Sequence, residues 1–140
     1  MSAHHRLLRA EEFGDRPCLH FGQRTLSYSQ IYTLAAVYAD ELNARGIRSG
    51  DRVAVLSDSS PDLVVALFAH HRAGVVHVPI NTRYQVAEVK HIFTDFRPSF
   101  VLVDDAHADI VAEAAPELPV RMVSIEASYL SFFKIFAARL

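Results

Sequence analysis

The side chains able to do chemistry in this chain gather in three short stretches. Ser57-Asp58-Ser59-Ser60 stands immediately before Pro61, Asn81-Thr82-Arg83 follows one apolar run, and Asp104-Asp105 follows another. Hydroxyls ahead of a helix could hold a phosphate, because a helix N-terminus attracts anions. The simpler reading is a cap, with Ser60 as the N-cap residue and Pro61 as the first helical residue. A loop guanidinium such as that of Arg83 can pair with phosphate through charge-assisted hydrogen bonds, although loop arginines are more often solvated. Two adjacent aspartates could bind a hard cation, but after a strand they are expected to cap the next helix.

The eight histidines invite a metal reading that their spacing does not support. His4-His5 and His70-His71 are sequence neighbours, which on a helix point about 100° apart and cannot chelate one ion as an i, i+4 pair could. His70, His71 and Arg72 are expected in the last turn of a helix, where cations suit its dipole. His77, within Val-Val-His-Val, is expected to be a hydrogen-bonded core histidine. The chain contains no His-Glu-x-x-His, Cys-x-x-Cys, Gly-x-Ser-x-Gly, phosphate-cradling P-loop or dinucleotide fingerprint, so no catalytic residue and no metal site is assigned.

The elements that must position these stretches centre on Gly50 to Asn81, which reads as strand, helix, strand. Arg52 to Ser57 is a β-branched apolar run, Ser60-Pro61-Asp62 starts a helix, Leu63 to Ala69 is almost wholly apolar, Gly74 stops it, and Val75 to Val78 is expected as a second buried strand. A helix without a polar face must pack between a sheet and something else. Upstream, residues 4 to 13 are expected to be a short helix. Pro17 to Phe21 and Arg24 to Leu26 form a hairpin turned at Gly22-Gln23. Ser27 and Gln30 make a capping box for a helix with Ile31, Leu34, Ala35, Tyr38 and Leu42 on one face and Gly46 as its terminator. Downstream, Gln85 to Phe96 is a second crossover helix ended by Arg97-Pro98, Ser99 to Val103 a third strand, residues 106 to 115 a helix, and Val120 to Ile125 a fourth strand. Strands alternating with helices of this length imply an α/β fold, a right-handed and mostly parallel sheet with helices on both faces.

Composition excludes several functions. The chain has 140 residues, 51% hydrophobic and 21% charged, and a net charge of −2, which offers no field for nucleic acid or anionic lipid. One cysteine, Cys18, excludes an internal disulfide and fits a reducing compartment. No stretch has the apolar core of a signal peptide or the roughly 18 apolar residues of a membrane span, so a cytoplasmic location is expected.

The succession Gly50-Asp51-Arg52-Val53-Ala54-Val55-Leu56, Ser60-Pro61-Asp62, Arg72-Ala73-Gly74 and Val78-Pro79-Ile80-Asn81-Thr82-Arg83, with Thr25-Leu26-Ser27-Tyr28 before the first long helix, resembles the N-terminal portion of the adenylate-forming acyl-CoA synthetases. These AMP-binding ligases activate carboxylic acids with ATP and pass them to CoA. The resemblance runs from about Leu7 to about Val123 and departs at Ser59, where the family usually shows Asn. It implies a partial N-terminal subdomain of the adenylate-forming fold over residues 1–126. It also implies that Arg83, the arginine of an Asn-x-Arg, contacts a CoA phosphate in a complete enzyme. Activation needs donors around the triphosphate, a magnesium-binding acid and a cation for the transition state. The family places these in later segments that the 140 residues do not include: a Ser/Thr/Gly-rich loop ending in Pro-Lys-Gly, a Thr-Glu pair, a ribose-binding Asp and a lysine in a mobile C-terminal domain. The resemblance therefore implies ATP, Mg, CoA and a carboxylic acid, fatty acids being the preferred class, for the complete enzyme, and no cofactor or activity for this chain alone.

Residues 127–140 change character, with Tyr129, Leu130, Phe132, Phe133, Ile135 and Phe136 crowded together. They are expected to be an apolar tail arising from truncation or an altered frame, short of a membrane span at about 21 Å if helical. The rival expectation is a non-catalytic α/β interaction module that self-associates or binds a protein partner through that tail or an unfinished sheet edge.

Overall fold

The computed structural model describes residues 10–116 and 121–124. A short helix α1 (Ala10–Phe13) leads into an antiparallel hairpin of β1 (Pro17–Phe21) and β2 (Arg24–Ser27), with Phe21 opposite Arg24 and Gly22 at φ 59° in the turn. The remainder of the expected first helix lies outside the described residues. Helix α2 (Tyr28–Ala44) starts at the expected capping box. The Ser27 hydroxyl accepts from the Gln30 N–H at 3.1 Å while the Gln30 side-chain oxygen accepts from the Ser27 N–H at 2.8 Å. Ile31, Leu34, Ala35, Tyr38 and Leu42 are buried on its inner face, and Gly46 ends it in a left-handed conformation.

Four parallel strands follow: β3 (Arg52–Leu56), β4 (Val76–Pro79), β5 (Phe100–Val103) and β6 (Arg121–Ser124), in the order β4-β3-β5-β6. The first crossover is helix α3 (Pro61–Ala73), the second is α4 (Val86–Phe96), and the third is a 3-10 turn (Asp105–His107) running into α5 (Ala108–Ala114). Successive strand residues point to opposite faces, and both faces are covered. Val53, Val55, Phe100 and Leu102 pack with α2 and α3, whereas Ala54, Leu56, Val101 and Val103 pack with Val89 and Phe93 of α4 and Val111 of α5. Phe93 is fully buried, and truncating such a ring to alanine costs about 3–5 kcal/mol. Cys18 sits half-buried in β1 against the first of these clusters, and burial pushes its thiol pKa up.

One expectation about the central unit needs correction. The strand after Gly74 is only partly buried. It is an edge strand, paired only with β3 among the described residues, and Val76 is 48% exposed. An apolar run does not distinguish a central strand from an edge strand, because the difference lies in what pairs with it. Helix α3 packs between the sheet and α2, as expected of a helix without a polar face, although Leu63, Val64 and Phe68 are half-buried and Leu67 is 37% exposed. Gly74 is required twice over. Its φ of 72° is left-handed, and a Cβ there would lie 2.6 Å from the Ser49 hydroxyl oxygen. No helix among the described residues is long and apolar enough to cross a membrane. Residues 127–140 lie outside the described residues.

Candidate functional site

In an open parallel sheet the favoured ligand crevice lies beyond the carboxyl ends of two strands whose outgoing connections run in opposite directions. Here those strands are β3 and β5, because the chain crosses from β3 to β4 on one side and returns past β3 to β5 on the other. The crevice is closed by Asp104. One of its carboxylate oxygens accepts from the Asp58 N–H at 2.9 Å and the Ser57 hydroxyl at 3.2 Å; the other takes the His107 N–H at 3.1 Å and meets His107 Nδ1 at 2.5 Å. Burial alone would raise the Asp104 pKa, but the hydrogen bond from Asp58, then those from His107 and Ser57, hold it below its ordinary 3.8. The expected capping role of Asp104 is therefore present, as N-cap of the 3-10 turn, and it also joins two strand ends.

Outside this joint lies an open cavity of about 460 Å³, whose lining includes Ser57, Ser59, Ser60 and the carboxylates of Asp58, Asp62, Asp104 and Asp105. Four acidic side chains outweigh the roughly half-charge of a helix N-terminus, so the cavity does not suit a phosphate. Ser60 occupies the N-cap position and Pro61 the first turn, as expected, but the Ser60 hydroxyl makes no capping bond and is buried without a hydrogen-bond partner among the described residues. Asp58, Asp104 and His107 bring donor atoms within 4.8 Å of one another, with His107 Nε2 4.0 Å from Asp58 Oδ1. These are the side chains that could hold a cation. Sequence spacing hid the trio because Asp58 and Asp104 are brought together only by the β3–β5 pairing.

At the other end of α3, His70 departs from expectation. It is fully buried, its Nδ1 lies 2.7 Å from His77 Nδ1 and its Nε2 lies 3.4 Å from the Tyr38 hydroxyl. One Nδ1 donates and the other accepts, which two neutral imidazoles can do. Burial, then the neighbouring His77 and His71, lowers the His70 pKa to about 3, so it is neutral and is not a cation at the helix end. His71 and Arg72 are the exposed members of that turn, and Arg72 Nη1 donates to the Tyr32 hydroxyl at 3.1 Å while its guanidinium lies over the Tyr32 ring. His77 is half-buried and hydrogen-bonded, matching its expected structural role.

Asn81-Thr82-Arg83 follows edge strand β4. The Asn81 side-chain oxygen accepts from the Arg83 N–H at 2.9 Å, the Tyr84 N–H donates to the Asn81 carbonyl at 3.1 Å, and Gln85 Nε2 lies 3.4 Å from the Arg83 carbonyl. The backbone of Arg83 is thus held from both sides. Its side chain is exposed and its guanidinium has no partner among the described residues.

Comparisons with known proteins agree on one group. The family described as AMP-binding enzyme matches residues 8–134, beyond the point at Val123 where the motif resemblance ends. Feruloyl-CoA synthase from an Amycolatopsis species is 38% identical over 94 residues, covering 67% of this chain and 19% of that protein. The 3-hydroxybenzoate--CoA ligase of an Aromatoleum strain is 28% identical over 78% of this chain and 21% of its own length. The chain therefore spans about a fifth of the length of these relatives. Among solved structures, a benzoate CoA ligase from Burkholderia xenovorans LB400 superposes with a TM-score of 0.83 at 18% identity, covering 92% of this chain and 28% of that one. The O-succinylbenzoate CoA synthetase of Bacillus subtilis, solved with ATP and magnesium, gives 0.79 at 22% identity over 88% of this chain and 33% of that one.

Proposed function

This chain belongs to the AMP-binding enzyme family, and from that premise we propose that it is the N-terminal α/β segment of an ATP-dependent acid–thiol ligase. The complete enzyme would convert a carboxylic acid and ATP to an acyl-adenylate with magnesium, then to a thioester with CoA. The observation that carries the reading is the family match over residues 8–134. Within the segment, Arg83 is assigned to a CoA phosphate: it stands beyond the carboxyl end of a parallel strand, its backbone is fixed and its guanidinium is unengaged among the described residues. A guanidinium in that condition suits a phosphate through charge-assisted hydrogen bonds.

The 140 residues alone are proposed to be inactive, because the groups that would surround a triphosphate are absent from their sequence. Carboxylate-dependent ATP–pyrophosphate exchange on the purified chain, with fatty, aryl and amino acids, tests this. Exchange at the level of a no-protein blank is expected; exchange above it overturns the reading.

A second reading, a module that self-associates or binds a protein, is favoured by the side of β4 left unpaired among the described residues and by the exposed Val76 and Leu67. Light scattering on the chain with and without residues 127–140 decides that point. Association altered by the deletion supports it, and a clean monomer in both forms removes self-association.

A further inference from the structure

We propose that Asn81 is a positioning residue that sets the aim of the Arg83 guanidinium; this rests on the reading above that Arg83 meets a CoA phosphate. Asn81 touches no reacting group in this proposal. Its side-chain oxygen accepts the Arg83 N–H at 2.9 Å, closing a tight turn two residues long, and its carbonyl accepts the Tyr84 N–H at 3.1 Å. From the far side Gln85 reaches the Arg83 carbonyl, while the Gln85 N–H is itself held by Glu88 at 2.8 Å in the first turn of α4. Both backbone polar groups of Arg83 are therefore anchored, one to the end of β4 and one to the start of α4. A long side chain on a fixed Cα searches a smaller volume, and a ligand that engages it gives up less conformational freedom. Thr82, between the two, makes no side-chain hydrogen bond among those described, so the anchoring is specific to Asn81 and Gln85.

The test is steady-state kinetics on a full-length ligase carrying this segment, where CoA binding is expected, with the KM for CoA read beside adenylate formation measured by pyrophosphate exchange. Asn81→Ala is expected to raise the KM for CoA about threefold to tenfold, the worth of one turn hydrogen bond, with exchange unchanged. Asn81→Ser, whose hydroxyl can accept the same N–H, should restore most of the wild-type KM, and Gln85→Ala should raise it from the carbonyl side. Thermal unfolding reports that the fold is intact in each variant. If Arg83→Ala raises the KM for CoA while Asn81→Ala leaves it at the wild-type value, the positioning role is overturned and the CoA reading survives. If Arg83→Ala leaves that KM unchanged, both are overturned.

Discussion

The loops that follow β3 and β5 differ sharply from the loop that follows β4, although all three lie at the same end of one sheet. After β3 and β5, Asp104 spends both its oxygens inside the chain, on Ser57, Asp58 and His107. After β4, the hydrogen bonds go to the Arg83 backbone and leave its guanidinium uncommitted among the described residues. The place where sheet topology favours a ligand is fastened shut, and the open cation stands beside it on the edge strand. A side chain whose hydrogen-bonding capacity is satisfied internally serves stability. One whose backbone is anchored while its polar head stays open is the better candidate to meet a ligand.

His70 tests the first half of that distinction most severely. Its pKa is lowered from 6.5 to about 3, so its contribution is complete above pH 6.5 and is lost as pH falls from there toward about 3. The unfolded chain takes up a proton that the folded chain refuses, which costs up to about 1.4 kcal/mol of stability per pH unit in that window. Urea unfolding at neutral and mildly acidic pH should show this slope, and His70→Gln should flatten it. An unchanged slope would mean that the buried His70–His77–Tyr38 chain does not hold a neutral imidazole.

Asp104→Ala comes next, with an expected loss of roughly 2–4 kcal/mol from a cap and hydrogen bonds to a charged group. The wild-type chain has an acid limb of its own here. Because the folded pKa of Asp104 is depressed, its contribution is full above 3.8 and is lost as pH falls through the lowered value, a limb the variant should lack. A loss below about 1 kcal/mol would place Asp104 on the same footing as an ordinary surface cap.

Arg83→Ala should invert the pattern. In a full-length ligase of the proposed kind, the KM for CoA should rise about ten- to a hundredfold, the value of one charge-assisted contact, while adenylate formation measured by pyrophosphate exchange stays unchanged. Chain stability should move by less than about 0.5 kcal/mol. Equal losses in both half-reactions would mean that Arg83 is structural.

Ser60→Ala is the smallest and finest test. A capping serine normally costs about 1 kcal/mol when truncated, yet the Ser60 hydroxyl is buried without a partner among the described residues, and removing an unsatisfied group is neutral or stabilising. Thermal unfolding should show no loss, and a drop of a full capping increment would show that the hydroxyl finds a partner in solution.

What could be read ahead of the structure follows the range of the interactions involved. The Ser27–Gln30 box, the stops at Gly46 and Gly74 and the Asp104 cap all act within a few residues, so their side-chain types announce them. The alternation of strand and helix carried the parallel sheet in the same way. The ionisation of His70 depends on Tyr38, 32 residues away, and the closure of the crevice depends on Asp58 and Asp104, 46 residues apart. The edge position of β4 is set by strand order, to which its own four residues contribute no signal. Arg83 stands out in the sequence only as a proposed phosphate contact, from its motif, and the anchoring of both its backbone groups needed coordinates.

Strand order also governs how such a sheet can be assembled as the chain leaves the ribosome. The β3–α3–β4 unit pairs its two strands over little more than one helix of intervening sequence. Strand β5 then joins the far side of β3, and β6 joins β5. Every later strand adds to an edge that already exists, so no strand pair formed early has to separate to admit a late arrival. Among these four strands, growth can keep pace with synthesis from the N-terminus, but pairing β5 with β3 closes the stretch from Val53 to Phe100, about twice that closed when β4 pairs with β3, so the arrival of β5 is expected to be the slow step of sheet assembly.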